Sequence, residues 1–248
     1  MSDIYDFHSH ILPGIDDGSR DSDVTRQMLL MESSQGVDHI LFTPHFYAQK
    51  QSFTQFAEDR QHALDKTADL ISHLDVQIEY KAAAETYFFK GISEAEILDD
   101  LCMQTEDRRV LFLEMPFTQW KSSMYKEVEA ILRKRQLTVV LVHIERFAGF
   151  QKDKGVWDEM LELPLILQHN GEFFTRGKFG LFGREGKLAK ETMTGERPLI
   201  LGTDAHNTTS RHPNLGHARE VIEKRFGRET LDEIDQRSKT LWAKGTTD

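Results

Sequence analysis

Histidines and carboxylates close one apolar run after another in this sequence: His8-Ser9-His10, Thr43-Pro44-His45, Glu85, Glu114-Met115-Pro116, His143-Ile144-Glu145-Arg146 and Asp204-Ala205-His206. Imidazole nitrogen and carboxylate oxygen are the donors that hold divalent ions such as manganese, iron or zinc. In extended backbone, residues i and i+2 face the same way. His8 with His10, and Asp204 with His206, can therefore each offer two ligands to one cavity. A single H-x-H arises often by chance. The whole set is a different matter, because burying so many ionisable groups without a metal leaves their desolvation uncompensated. His39, His62, His73, His212 and His217 fall in helices, loops or strand starts and read as structural or solvated. His169, which ends a further run in Gln168-His169-Asn170-Gly171, has the place of a supporting residue rather than a ligand.

The elements that must position these groups follow from the apolar pattern. Short, continuously apolar runs at Ile4–His8, Ile40–Thr43, Val76–Ala84, Val110–Leu113, Thr138–Val142, Leu165–Leu167 and Leu199–Leu201 read as strands buried on both faces. Amphipathic segments lie between them at Asp21–Ser34, Phe53–His73, Ser93–Leu101, Met124–Arg135, Val156–Leu161 and Gly186–Thr194, and two more follow at Leu215–Phe226 and Glu229–Trp242. Asp21 or Ser22 is placed to cap the first helix, and Thr54 the second. Alternation of this kind predicts a parallel sheet wrapped by helices, as a closed barrel or an open doubly wound sheet. In both, the carboxyl ends of the strands share one side, where such folds build their active sites.

The 248 residues suit one α/β barrel, and no repeat, low-complexity tract or linker marks a boundary. A single domain over 1–248 is expected, closing with C-terminal helices over about 215–244. The net charge of −10, with no stripe of Lys and Arg, argues against nucleic acid. No stretch approaches the roughly 20 apolar residues of a membrane span. Asp3, Asp6 and His8 interrupt the N-terminus where a signal peptide would be apolar. Membrane insertion is therefore not expected, and the chain is placed in the cytoplasm. Cys102, the only cysteine, rules out an internal disulfide and a cysteine-based zinc site.

The segment Asp6-Phe7-His8-Ser9-His10-Ile11-Leu12-Pro13-Gly14-Ile15-Asp16-Asp17-Gly18 resembles the first motif of the polymerase and histidinol phosphatase (PHP) superfamily. More narrowly, it is similar to the bacterial PHP protein-tyrosine phosphatases of capsule and exopolysaccharide operons. Thr43-Pro44-His45, Glu114-Met115-Pro116, His143-Ile144-Glu145-Arg146 and Thr203-Asp204-Ala205-His206-Asn207 match in order and spacing, over nearly the whole chain. The resemblance implies a distorted (βα)7 TIM-like barrel with three metal ions, manganese first, iron or zinc as alternatives. It implies that His8, His10, Glu85 and Asp204 hold one ion, and that Glu85, Glu114 and His143 hold a second with Glu85 bridging. Asp17, His45 and His206 would hold the third, with Asp16 the alternative to Asp17. Arg146 and Arg211 look like the family's phosphate-gripping arginines. Ile144 stands where the family usually has Pro, Ala83 where it commonly has Gly, and a His ends the sixth strand where there is usually none.

Hydrolysing a phosphate monoester needs a nucleophile, charge withdrawal from the phosphoryl oxygens and help for the leaving group. Closely spaced divalent ions meet the first two needs, since they generate hydroxide near neutral pH and neutralise developing charge. Glu85, as a bridge, would set their separation. A planar guanidinium at Arg146 or Arg211 can grip two phosphate oxygens at once. A tyrosine leaving group has a pKa near ~10 and demands less protonation than an alkyl alcohol, so no general acid is assigned. Phe46, Tyr47, Trp120, Phe147, Phe173 and Phe174 stand beside the motifs as candidates to wall a phenyl ring, with core packing as the alternative. Cys102 to Arg108 has the C-x5-R spacing of thiol-dependent phosphatases, but it lacks the glycines of a phosphate cradle and carries Glu106 and Asp107, so it reads as a decoy. The expected function is a metal-dependent protein-tyrosine phosphatase, acting on the phosphotyrosine tail of a bacterial tyrosine kinase that controls polysaccharide export. A histidinol-phosphatase-like small-molecule enzyme and a non-catalytic phosphotyrosine-docking regulator are the alternatives.

Overall fold

Apolar residues of the strands alternate between two packing layers, as in a parallel sheet buried on both faces. The computed structural model describes residues 3–175, 187–188, 191–193 and 197–243. Its strands are β1 (Tyr5–Ser9), β2 (His39–Phe42), β3 (His45–Phe46), β4 (Glu79–Ala82), β5 (Glu85–Tyr87), β6 (Met103–Gln104), β7 (Arg109–Glu114), β8 (Thr138–Leu141), β9 (Ile166–Asn170) and β10 (Leu199–Gly202). The helices are α1 (Ser22–Ser34), α2 (Phe53–Ser72), α3 (Ser122–Lys134), α4 (Gly155–Glu162), α5 (Gly171–Thr175), α6 (Leu215–Phe226) and α7 (Arg228–Ala243). Phe7, Leu41, Val110, Phe112, Val140, Ile166 and Ile200 form an inner cluster. Their neighbours Ile40, Leu111, Leu113, Val139, Leu141, Leu167 and Leu201 join the outer core beneath the helices. This period of two, with both faces apolar, is what a parallel barrel requires.

β1 pairs with β2 and β2 with β4, while β3, β5, β7, β8, β9 and β10 form a second parallel ladder. The two ladders are one wall interrupted twice. Thr43-Pro44 separates β2 from β3 and Ala83-Ala84 separates β4 from β5, and main-chain bonds from Ala83 to Phe42 (3.0 Å) and from Glu85 to Pro44 (3.1 Å) carry the wall across. Proline at position 44 cannot donate to a ladder, which favours the break there. On the other flank the circuit is joined by the bridge of Ser9 to Ala205, with Asp204 N donating to His8 O at 2.7 Å and His10 N to Ala205 O at 3.0 Å. β6 takes the lower edge of β7 in antiparallel fashion. The result is a mixed α/β fold with the expected parallel strands, its wall interrupted at the two breaks. Trp242 of α7 packs into the inner cluster beside Tyr5 and Phe7, and its carbonyl accepts from Lys81 at 2.6 Å.

Two expectations need correction. Ser93–Leu101 is not an α-helix. It folds as two 3-10 turns, Ile92–Glu94 and Glu96–Leu101, separated by extended Ala95 and fastened by Glu127, which accepts from Gly91 N, Ser93 N and Ser93 Oγ. The cap of α2 is Ser52, not Thr54, its hydroxyl accepting from Gln55 N at 3.2 Å, whereas Asp21 caps α1 as expected. Of the expected helix over Gly186–Thr194, only 187–188 and 191–193 lie within the described residues, and these are helical. Position 244 lies outside them. Among the described residues, no helix is long and apolar enough to cross a membrane.

Candidate metal centre

Local backbone features, more than regular strand geometry, aim the ligating side chains. A register shift between Asp6 and Ser9 in β1 breaks the alternation after inward-facing Phe7, so His8 also turns into the barrel mouth. His143, just beyond β8, and Asp204, just beyond β10, have φ of 33° and 52°. That left-handed conformation is costly for residues with a Cβ and collects at functional sites. Gly202 is small for a steric reason: a Cβ there would stand 2.6 Å from His8 Cβ.

The imidazoles and carboxylates meet around Glu85. Its Oε2 lies 3.3 Å from His8 Nε2, 3.2 Å from His10 Nε2 and 2.8 Å from His45 Nδ1, and its Oε1 accepts from His143 Nε2 at 2.8 Å. Asp204 Oδ1 is 3.7 Å from His8 Nε2 and 3.4 Å from His10 Nε2, and Glu114 Oε1 is 3.5 Å from His143 Nε2. Asp17 Oδ1 faces His45 Nε2 at 3.4 Å and His206 Nε2 at 3.5 Å. Donor atoms of His10, Asp17, His45 and His206 lie within 4.8 Å of one another, as do those of His8, His10 and Glu85, and those of His45, Glu85 and Glu114. Each group can therefore surround an ion with ligand bonds of about 2.1 Å. All nine expected ligands are brought together, with His45 standing nearer the Glu85–Glu114 pair than the resemblance implied.

Asp16 and Asp17 do different jobs. Asp16 accepts from His10 Nδ1 at 2.7 Å and from the main-chain N–H of His45 and Gly18, so it orients His10 and leaves Nε2 facing the cluster. Asp17 points its carboxylate at the imidazoles. Gln168 does for His8 what Asp16 does for His10, its Oε1 accepting from His8 Nδ1 at 3.0 Å and from His143 N at 2.8 Å. Its Nε2 donates to Asn170 Oδ1, and Asn170 Nδ2 donates to Asp204 Oδ2 at 2.8 Å. Such partners fix the tautomer and raise the basicity of a ligating histidine. Behind β1, Asp6 accepts from Thr203 N and from Thr203 Oγ1, while buried Glu32 of α1 sits against the same hydroxyl.

His169 is not part of the cluster. Inward-facing Ile166 is followed at two-residue steps by Gln168 and Asn170, so His169 faces outward. There it lies between Glu145 Oε2 at 2.8 Å and Thr192 Oγ1 at 2.9 Å and stacks on Phe173. Gln168, Asn170 and Glu32 were missed in the sequence, although the parity from Ile166 marks the first two.

Electrostatics show what the centre demands. Burial opposes charge on His10, yet the Asp16, Asp204 and Glu85 carboxylates hold its pKa well above the usual imidazole value. At His143 burial is again outweighed, by Glu114 and Glu85, and the pKa rises to about 9. Burial would raise Glu85 and Asp204, but the imidazoles around them depress both well below the carboxylate range. Positive charge is strongly stabilised here. Glu85 Oε2, Glu114 Oε2 and His206 Nε2 are buried without a hydrogen-bond partner among the described residues, and His45 Nδ1 approaches Glu85 without hydrogen-bond alignment. Unpaired buried polar atoms of this kind are costly, and divalent cations between them would satisfy them. The residues fit the metals that the resemblance implies.

Arg146 and Arg211 approach this centre from its solvent side, both on Asp204: Arg146 Nη1 to Oδ2 at 3.3 Å, Arg211 Nη2 to Oδ1 at 2.7 Å. Of the aromatic candidates, Tyr47 packs on the His45 ring and Phe147 backs His143 from the core, whereas Phe46, Trp120 and Phe174 are buried away and Phe173 belongs to His169. Phe117, stacked on His143, and Tyr87, beside Tyr47, were not anticipated. Cys102 is buried, its thiol donates to Leu98 O, and burial together with Asp99 pushes its pKa up to about 12.

The chain is 25% identical over 239 residues to the tyrosine-protein phosphatase CpsB of Streptococcus pneumoniae, covering 92% of this chain and 93% of that protein. It is 26% identical over 234 residues to the tyrosine-protein phosphatase YwqE of Bacillus subtilis, covering 90% and 85%. A solved chain from work on YwqE and CpsB, described as unique metal-dependent tyrosine phosphatases, shares the fold with a TM-score of 0.81 at 21% identity, over 98% of this chain and 96% of that one. Residues 4–240 match the family described as Capsular polysaccharide synthesis, CpsB/CapC, and the chain belongs to that family.

Proposed function

We propose that this chain, as one domain, is a divalent-metal-dependent protein-tyrosine phosphatase. Its proposed substrate is the phosphotyrosine tail of a bacterial tyrosine kinase controlling capsular or exopolysaccharide synthesis, in the cytoplasm. The convergence of His8, His10, His45 and His143 on Glu85, with two arginines on Asp204 at the rim, carries this reading. His8, His10, Glu85 and Asp204 are proposed to hold one ion, Glu85, Glu114 and His143 a second, and Asp17, His45 and His206 a third. The donor set of imidazoles and carboxylates suits manganese, with iron or zinc as substitutes. When bound, such ions supply a nucleophile at neutral pH and neutralise charge on the phosphoryl group.

The chain's own residues do the rest. Arg146 and Arg211 grip the non-bridging phosphate oxygens, two donors each, and Asp204 between them fixes where the two forks converge. Asp16 and Gln168 hold His10 and His8 in the tautomer that leaves Nε2 free. Glu85, as the shared carboxylate, sets the spacing of the groups around it.

Release of phosphate from phosphotyrosine peptides by the manganese-loaded protein tests this. His10→Ala and Arg146→Ala should each lower turnover at least about 100-fold, and a chelator should abolish it. Turnover within about threefold of wild type in either variant overturns the assignment, and preference for small alkyl phosphates overturns the substrate class.

A further inference from the structure

The rim of the centre carries an apolar feature that the hydrolytic groups do not explain. Phe117 follows Glu114-Met115-Pro116 and lays its ring on His143, with centroids 5.9 Å apart and planes at 18°. The guanidinium of Arg146 stands 4.9 Å over the same ring. Phe150 meets Phe117 edge-on at 5.9 Å and is 43% exposed, more than any other large apolar side chain among the described residues. An aromatic surface therefore runs from a candidate ligand, beneath a phosphate-gripping arginine, out to solvent.

The surface is built rather than accidental. Phe117 and Phe150 lie on different loops, and Gln151 ties the loops together. Its Oε1 accepts from Trp120 N at 2.9 Å and Gln119 Nε2 at 3.2 Å, and its Nε2 donates to Thr118 O at 3.0 Å and Phe147 O at 3.3 Å. Gln119 Oε1 in turn accepts from Lys152 N and Asp153 N. Both aromatic residues are thus held in place before any ligand arrives, which lowers the entropy cost of binding on them. Leaving Phe150 in water is unfavourable, and a flat apolar partner with a phosphate at one end would cover it.

We propose that Phe117 and Phe150 form the shelf on which the substrate's aryl ring lies, making them the residues that select aryl over alkyl phosphates. This rests on the phosphatase reading above. The aryl ring borne by a phosphate that Arg146 holds packs against Phe117 beside the guanidinium, and exposed Phe150 extends the contact toward the next peptide residue.

The test compares phenylphosphonate with methylphosphonate, which share the charged end and differ in the ring, by calorimetric titration of the manganese-loaded protein. Wild type should bind the phenyl compound more tightly. Phe150→Ala and the milder Phe117→Leu should each weaken phenylphosphonate roughly threefold to tenfold and leave methylphosphonate unchanged. Bound manganese and thermal midpoints, measured in parallel, identify a variant whose centre is damaged, and Phe150→Ala, away from the ligands, then decides. An unchanged phenyl-to-methyl ratio overturns the shelf, as does equal weakening of both compounds or no phenyl preference in wild type. A protein that keeps the phenyl preference but releases no phosphate from phosphotyrosine peptides counts against the phosphatase reading alone.

Discussion

Replacing Gln168 with Met keeps the volume of the side chain and removes its polar atoms. Three polar groups lose a partner: His8 Nδ1, the main-chain N–H of left-handed His143, and Asn170 Oδ1, whose own amide supports Asp204. Gln168 is fully buried, so water cannot replace the lost bonds. Each unsatisfied buried group costs about 1–3 kcal/mol, and some relaxation is expected, so Gln168→Met should lower unfolding stability by roughly 2–4 kcal/mol. The more telling effect is on metal. With neither His8 nor Asp204 oriented, affinity should fall about 10- to 100-fold although no ligand has been removed. Competition with a chromophoric chelator measures that, and urea denaturation measures the stability. Ile131→Ala, in the buried core under α3, provides a control that loses about 2–5 kcal/mol and should keep its metal affinity. Metal affinity within twofold of wild type in Gln168→Met, or an equal loss in Ile131→Ala, refutes the orienting role.

Further outcomes follow from other parts of the structure. Gly202→Ala should lose metal and turnover together, because its Cβ would press on His8 Cβ at 2.6 Å; metal content by elemental analysis checks it. Cys102→Ser should leave phosphatase activity unchanged, and maleimide should label the folded protein far more slowly than the urea-unfolded one, because the thiol is buried and titrates only at about 12. Glu32, raised well above its ordinary value by burial and by Asp6, stays protonated in the fold at pH values where the unfolded chain has ionised it. Stability is therefore lost as pH rises from about 4.5, the ordinary value of a glutamate, toward the raised one. Glu32→Gln should accordingly raise the thermal midpoint near pH 8 and show little difference near pH 4, as scanning calorimetry at the two pH values will report.

What the sequence disclosed and what it withheld divide along physical lines. Apolar runs bounded by ligating residues announce barrel strands, because burial on both faces leaves few polar positions until the chain reaches the rim. His10, Glu114 and His206 were legible for that reason. The features that aim the side chains were not: the register shift in β1, the left-handed His143 and Asp204, and the breaks at Pro44 and Ala83-Ala84 are backbone events set by neighbouring strands. Parity would have separated His169 from Gln168 and Asn170, since two-residue steps from Ile166 lead to the latter. Phe117 lay hidden because one aromatic residue after a proline has no periodicity to distinguish shelf from core.

In the proposed centre, side chains between His8 and His206 share ions in one cluster. Anomalous diffraction from crystals of the manganese-loaded protein tests it most directly. Three peaks are expected within a few ångströms of one another, flanked by His8, His10, Glu85 and Asp204, by Glu85, Glu114 and His143, and by Asp17, His45 and His206. Manganese found elsewhere on the molecule, with Glu85 touching none of it, would rule out the shared cluster.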